Sequence, residues 1–319
     1  MKNFKIFITL IILITTISGC NNSEDIDNIS SEGPSHVFLS ITKNYGKEEI
    51  FNEKVELKNN FTVYDVLNEN IELGTEYGGG FVSSIEGIES TFGGSTGVKK
   101  DWFYYINGIC VDVGAIDYEL TGGEQIWWDY HKWDGATSAN SSVVGMYSEP
   151  FINGYRNKTK SVKILYAGED IKESEELKNS LLDLGTEKVA IMKAEEELIK
   201  NRESPTIVIG QWEEIKEIKY IKDLNENNKK TGTYSLYSDS SLKLMDYNYE
   251  TVETLNKNYS TINSYGQGLG DENPLWIISG KDAESISRAV KLMVESPEKL
   301  HFAYGLALVE EEVIKLPME

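Results

Sequence analysis

The chain has 319 residues, of which 52 are acidic and 31 are lysine or arginine, and its formal net charge is -21. So acidic a surface repels phosphate backbones, which makes nucleic acid a poor candidate partner. Only two cysteines occur, Cys20 and Cys110. If Cys20 carries lipid, an intramolecular disulfide is excluded and the fold has to rest on its hydrophobic core.

The first 20 residues have the pattern of an export signal. Two lysines precede the apolar run Ile6–Ile17, which is too short for a membrane span of about 20 residues. The following "ISGC" resembles the lipobox of bacterial lipoproteins, in which the cysteine, here Cys20, is diacylated and becomes the mature N-terminus. We therefore predict a lipoprotein signal at residues 1–20 and a lipid anchor on the outer face of the cell membrane. A plain secretory signal is the alternative.

Two segments of low apolar content divide the rest of the chain. Residues 21–35 carry four acids and no base, which predicts a flexible acidic tether. Residues 135–159 are rich in small and polar side chains, which predicts an interdomain linker that packs on its neighbours or stays free. We therefore expect one domain at residues 36–134 and a second at residues 160–319.

The first domain is predicted to be an α+β fold of the β-grasp kind. The segments "HVFLSIT" and "EIFNEKVEL" alternate as strands, and Thr62 with Asp65 forms a capping-box pattern before a short helix, Val63 to Asn68. Glu72–Gly97 holds eight glycines in 26 residues and predicts a long loop that either covers a ligand or turns tightly. Two aromatic strands, "DWFYYING" and "EQIWWDYHKW", follow it.

The second domain is predicted to be an α/β domain with a mostly parallel sheet, because apolar strands such as "SVKILYAG", "PTIVIG" and "PLWIISG" alternate with helical stretches. One helix is expected to begin at Ser174 as N-cap and to end before Gly185. Its predicted buried residues are Leu177, Leu181, Leu182 and Leu184.

Glu124–Asp134 gathers three tryptophans, a tyrosine and a histidine. Strand alternation places Ile126, Trp128 and Tyr130 on one face, where they are expected to form core. The other face carries Trp127, His131 and Trp133, which pack either against the glycine-rich segment or second domain, or against a ligand. Tyr77 and Phe81, beside the triple glycine, are further candidates for stacking on a ligand.

Asp101–Tyr130 resembles the transcobalamin-like C-terminal domain family, many of whose bacterial members are exported lipoproteins. The resemblance covers residues 36–134 and rests on an aromatic strand begun by Trp102, the Asn107-Gly108 turn, a glycine-acid turn at Gly123, and the "IxWxY" of the last strand. Glu124 stands where aspartate is commoner in the family. The resemblance implies a β-grasp-like domain and makes a cobalamin-like corrinoid the first ligand to consider.

No motif in the sequence predicts catalysis or a metal site, since HExxH, CxxC and GxSxG are all missing. We therefore expect a non-enzymatic lipoprotein without an intrinsic cofactor, which binds a small molecule, with cobalamin as a candidate, for a membrane importer. The candidate ligand-binding residues are Tyr77, Trp127, His131 and Trp133. A protein- or glycan-interaction module at the cell surface is the alternative, and a hydrolase is a distant third.

Overall fold

The structure is a computed structural model, and it describes residues 36–77, 80–91, 98–133, 140–168 and 171–319. The predicted signal, the lipidation site Cys20 and the acidic tether lie outside the described residues, so these remain predictions. The described residues form one compact unit. The fold mixes helices with several sheets, some of whose strands run parallel.

The described residues of the N-terminal part form two sheets and one helix. A five-stranded sheet has the strand order β2-β1-β8-β6-β7, with β1 and β8 parallel and the other pairs antiparallel. A small antiparallel sheet, β3-β4-β5, occupies part of the glycine-rich segment. The elements are β1 (His36–Lys43), β2 (Glu48–Glu56), α1 (Val63–Asn70), β3 (Leu73–Glu76), β4 (Phe81–Ile85), β5 (Ile88–Glu89), β6 (Lys100–Ile106), β7 (Ile109–Cys110) and β8 (Gln125–Lys132).

Helix α1 begins as the sequence predicts. The Thr62 side chain accepts a hydrogen bond from the Asp65 backbone N–H, and the Asp65 carboxylate accepts one from the Thr62 N–H, so both donors at the helix start are satisfied. The helix shares one core with the inner face of the five-stranded sheet, including Ile126 and Trp128. Trp128 stacks on Tyr104 with ring centroids 4.5 Å apart. The predicted core face of β8 is therefore confirmed.

The C-terminal part contains a seven-stranded and a three-stranded sheet. The seven strands have the order β10-β9-β11-β16-β15-β17-β18, and the three have the order β12-β13-β14. The elements are β9 (Val162–Tyr166), α2 (Ile171–Asp183), β10 (Val189–Lys193), α3 (Glu196–Lys200), β11 (Thr206–Gln211), α4 (Trp212–Ile215), α5 (Lys219–Glu226), α6 (Asn228–Thr231), β12 (Ser235–Tyr237), β13 (Leu242–Met245), β14 (Thr251–Leu255), β15 (Tyr259–Tyr265), β16 (Leu275–Gly280), α7 (Ala283–Glu295), β17 (Gly305–Val309) and β18 (Glu312–Leu316).

The seven-stranded sheet is mixed, which corrects the prediction of a mostly parallel sheet. Strands β10, β9, β11 and β16 run parallel, whereas β15, β17 and β18 join through antiparallel pairs. The connections explain the difference: two residues join β17 to β18 and nine join β15 to β16. A parallel crossover requires a dozen or more residues.

Helix α2 differs from its prediction at one end only. It begins at Ile171, and Ser174 is a buried residue inside it. Its predicted end is confirmed: Gly185 has φ +113°, its N–H bonds to the Leu182 carbonyl, and the Thr186 N–H bonds to the Leu181 carbonyl. This is the Schellman pattern, which favours glycine at that position.

The apolar face of α2 is narrower than predicted. Leu177 and Leu181 are buried and share a core with α7. Leu182 and Leu184 are 39% and 45% exposed. Leu182 follows Leu181 by one residue, about 100° around the helix, which turns it away from the sheet.

The segment predicted to be a linker is largely packed where it is described, from Asn140 to Thr159, although Asn153, Arg156 and Lys158 are exposed. Val143 belongs to one hydrophobic core, Phe151 to a second and Tyr155 to the core under the five-stranded sheet. The segment therefore joins the two halves of the unit through buried side chains. Within the described part of the chain, no helix is long and apolar enough to cross a membrane.

Candidate functional site

The outer face of the five-stranded sheet, which carries Tyr105, Trp127, Asp129 and His131, is covered by residues from near the C-terminus. Trp127 is 1% exposed, and its ring lies 5.3 Å from that of Tyr304 and 5.6 Å from that of Phe302. The Trp127 Nε1 donates a 2.8 Å hydrogen bond to the Thr42 hydroxyl. The chain itself therefore supplies the partners of this tryptophan.

The carboxylate of Asp129 lies at the centre of this covered face. It is fully buried, and five donors from three parts of the chain point at its two oxygens. The donors are the Thr42 hydroxyl, the Tyr45 and Gly46 backbone N–H groups, the His131 Nδ1 and the Tyr304 hydroxyl. Tyr304 directly precedes β17. Its hydroxyl donates a 3.1 Å hydrogen bond to Asp129 Oδ2, which joins the five-stranded sheet to the C-terminal half through a buried charge.

These contacts decide the ionisation of Asp129. Burial raises the pKa of its carboxyl, but the hydrogen bond and charge of His131, with the bonds from Thr42 and Gly46, outweigh burial and leave the pKa below its ordinary value. Hydrogen bonds to a carboxylate favour its charged form. Asp129 is therefore a buried anion that its donors stabilise.

His131 is held from both sides. Its ring lies between those of Tyr45 and Phe103, with centroids 4.3 Å and 4.4 Å away. Its Nδ1 lies 2.7 Å from Asp129 Oδ2 and donates, because an ionised carboxylate can only accept. Its buried Nε2 has no hydrogen-bond partner among the residues that the structure describes.

The turn between β1 and β2 reaches over the edge of the covered face. Asn44, Tyr45 and Gly46 all have positive φ, at 57°, 60° and 77°, and this conformation aims the Tyr45 and Gly46 N–H groups at Asp129. A Cβ on Gly46 would lie 2.0 Å from the Phe302 carbonyl oxygen. Only glycine can occupy this position without displacing the backbone of residue 302.

A pocket opens where this turn meets the C-terminal half, and we call it the seam pocket. Its volume is about 430 Å³. The rings of Tyr45 and Tyr247 are nearly parallel, at 13°, with centroids 6.4 Å apart. The residues that line the seam pocket are Asn44, Tyr45, Lys47, Val98, Lys100, Lys132, Tyr247 and Glu319.

Two lysines of the seam pocket contact the C-terminal half. The Lys132 ammonium lies 2.7 Å from the Asn248 side-chain oxygen and 4.8 Å from the centre of the Tyr247 ring. The Lys47 ammonium lies 3.7 Å from a Glu319 carboxylate oxygen. Burial lowers the pKa of Lys47, and the charge of Glu319 acts in the opposite direction. The pocket can therefore offer ammonium groups and the exposed Tyr247 ring to a ligand.

The four predicted ligand-binding residues do not converge. Trp127 and His131 are buried, so a ligand could touch them only after the rings that cover them had moved. Trp133 is half-buried, donates its Nε1 to Asp101 and lies 4.9 Å below the Lys99 ammonium. Tyr77 is 82% exposed and does not line the seam pocket. Their role in binding stays a prediction.

Sequence reasoning missed Tyr45, Lys47 and Tyr247. The "NYGK" turn, Asn44–Lys47, carried one usable signal, because a glycine between two strands indicates a left-handed backbone position. Lys100 and Lys132 lie at the ends of the two aromatic strands. A lysine in such a position is usually solvated, so the sequence did not mark either as a pocket residue.

Comparison with known proteins gives one result for the N-terminal part. No curated protein matches the chain. Residues 60–132, from the start of α1 to the end of β8, match the model of a family described as a domain of unknown function, DUF4430.

Proposed function

We propose that this protein is a surface-anchored lipoprotein that captures a small molecule in the seam pocket and passes it to a membrane importer. The observation that carries the proposal is the pocket, whose volume of about 430 Å³ lies in the usual range for small-ligand sites, about 300–1,000 Å³. It lies between the two halves of a compact unit, a common position for such sites. The "ISGC" sequence at Cys20 supports the anchor.

We also propose that residues 36–134 are a transcobalamin-like domain of the β-grasp kind. The hairpin β1-β2, the helix α1 and the central parallel pair β1-β8 support this assignment. The family match at residues 60–132 covers most of the same segment. A cobalamin-like corrinoid is therefore the first ligand to test.

The pocket limits how such a ligand could bind. A corrinoid is too large to be enclosed in about 430 Å³, so one side group would enter and the macrocycle would stay outside. Smaller ligands fit entirely. The protein- or glycan-interaction alternative relied on an exposed aromatic face, and the burial of Trp127 and His131 removes that support.

The proposal is tested by calorimetric titration of the full-length protein in mild detergent with cobalamin. Tyr247→Ala, in the pocket, should weaken binding, whereas Tyr77→Ala, on an exposed side chain outside it, should leave the affinity unchanged. The opposite result would move the site to the glycine-rich segment. If no heat of binding appears up to about 100 μM cobalamin, equivalent to about -5.5 kcal/mol, the corrinoid is not the ligand.

A further inference from the structure

The seam pocket has a charge opposite to that of the protein. The whole chain has a formal net charge of -21. Of the eight residues that line the pocket, three are lysines and one, Glu319, is acidic. Lys47, Lys100 and Lys132 therefore gather positive charge at one point of an acidic surface, and clefts lined by one sign of charge concentrate ions of the other sign.

Two of these lysines lie where they repel each other. Lys100 on β6 is the direct cross-strand partner of Lys132 on β8, and like charges in this position destabilise a sheet. Neither ammonium has a carboxylate within ion-pair distance among the described residues, although Lys132 contacts the Asn248 amide oxygen. An anion bound near both side chains would relieve this cross-strand repulsion.

The third lysine is partly removed from water. Only 23% of the Lys47 side chain is exposed, so its ammonium has lost part of its hydration. The carboxylate of Glu319 compensates for this loss weakly, because its oxygen lies 3.7 Å from the ammonium. An anionic oxygen of a ligand would form a shorter, charge-assisted hydrogen bond. The exposed Tyr247 ring, which lies nearly parallel to the buried Tyr45 ring, gives the same pocket one flat wall.

We infer that the ligand of the seam pocket is a small organic anion, a flat unsaturated ring that carries a carboxylate or phosphate group. The lysines bind the anionic oxygens, and the exposed Tyr247 ring contacts the ring of the ligand. This inference rests on the proposed function, since it names the class of molecule that the same pocket binds.

The test compares probes that differ in charge and share one ring. Benzoate and phenyl phosphate carry the two anionic groups, and benzamide is the neutral counterpart of benzoate. Binding to the full-length protein is measured by saturation-transfer NMR. We expect both anions, or the one whose group fits, to bind at least about tenfold more tightly than benzamide, since charge-assisted hydrogen bonds are about twice as strong as neutral ones.

Lys100→Gln should lower the affinity for the anionic probe about tenfold and leave benzamide binding unchanged. The matched control is Lys257→Gln, an exposed lysine between β14 and β15, which should change neither affinity. Lys100→Gln should also raise the melting temperature of the free protein slightly, because it removes the cross-strand repulsion. Tyr247→Ala should weaken all bound probes.

The outcomes separate the two proposals. Equal binding of benzamide and benzoate would overturn the anionic ligand and leave the pocket as a binding site. Equal effects of Lys100→Gln and Lys257→Gln on the affinity for the anionic probe would also overturn the anionic ligand and leave the pocket as a binding site. If none of the three probes binds, the flat anionic ligand is overturned, and the cobalamin titration alone decides the proposed function.

Discussion

Replacement of Asp129 by Asn tests whether a buried carboxylate holds the two halves of the unit together. The amide must put its NH2 group in place of one carboxylate oxygen. Oδ1 accepts from the Gly46 N–H at 2.9 Å and Oδ2 from the Tyr45 N–H at 3.1 Å. Either orientation therefore sets two donors against each other, and a backbone N–H cannot turn away.

The expected loss of stability follows from these contacts. One buried donor left unsatisfied costs about 1–3 kcal/mol, and the bonds from His131 and Tyr304 lose the strength that a charged acceptor gives, about 1 kcal/mol each. We expect Asp129→Asn to lower the free energy of unfolding by about 3–5 kcal/mol. Asp117→Asn, on an exposed side chain, should change it by less than about 0.5 kcal/mol.

The assay is urea unfolding followed by tryptophan emission, at pH 7 and pH 3. The pKa of Asp129 is lower in the folded protein than in the unfolded chain. Its stabilisation is therefore complete above the unfolded pKa, about 3.9, and is lost as the pH falls through the folded pKa. The difference between wild type and Asp129→Asn should shrink at pH 3. A loss below about 1 kcal/mol at pH 7 would refute the role assigned to this carboxylate.

Two further substitutions and one thiol reagent test other features of the protein. Gly46→Ala should lower the melting temperature much more than Gly87→Ala, because both glycines have positive φ but only a Cβ at residue 46 meets the Phe302 backbone; similar losses would contradict the close approach of the turn. Cys110 is buried, and burial raises the pKa of its thiol to about 12, so a disulfide reagent at pH 8 should react with it only after the protein is unfolded. Cys20→Ser should abolish diacylation, seen as the mass of the N-terminal peptide extracted from membranes, and an unmodified wild-type Cys20 would refute the predicted anchor.

Local signals in the sequence predicted the elements that local physics determines. The capping box at Thr62 gave the start of α1, and Gly185 gave the end of α2. The alternation of β8 sorted Trp127 from Trp128 correctly onto opposite faces. Each of these predictions depends on residues fewer than five positions apart.

The features that escaped prediction depend on distant partners. Nothing near Trp127 in the sequence shows that Phe302 and Tyr304 cover it, since they lie more than 170 residues further along the chain. The sequence therefore left packing and ligand contact open. The same limit applies to the seam pocket, whose walls come from the β1-β2 turn and from Tyr247.

The parallel pairing of β1 with β8 has a consequence for the order in which the chain can fold. The ribosome synthesises β1 first, but β8, its parallel partner, is complete only when Lys132 has been added. The outer face of β8 is then covered only after Tyr304 has been synthesised, more than 170 residues later. A chain that has been extended past Lys132 but not as far as Tyr304 presents Trp127, His131 and the charged Asp129 to solvent.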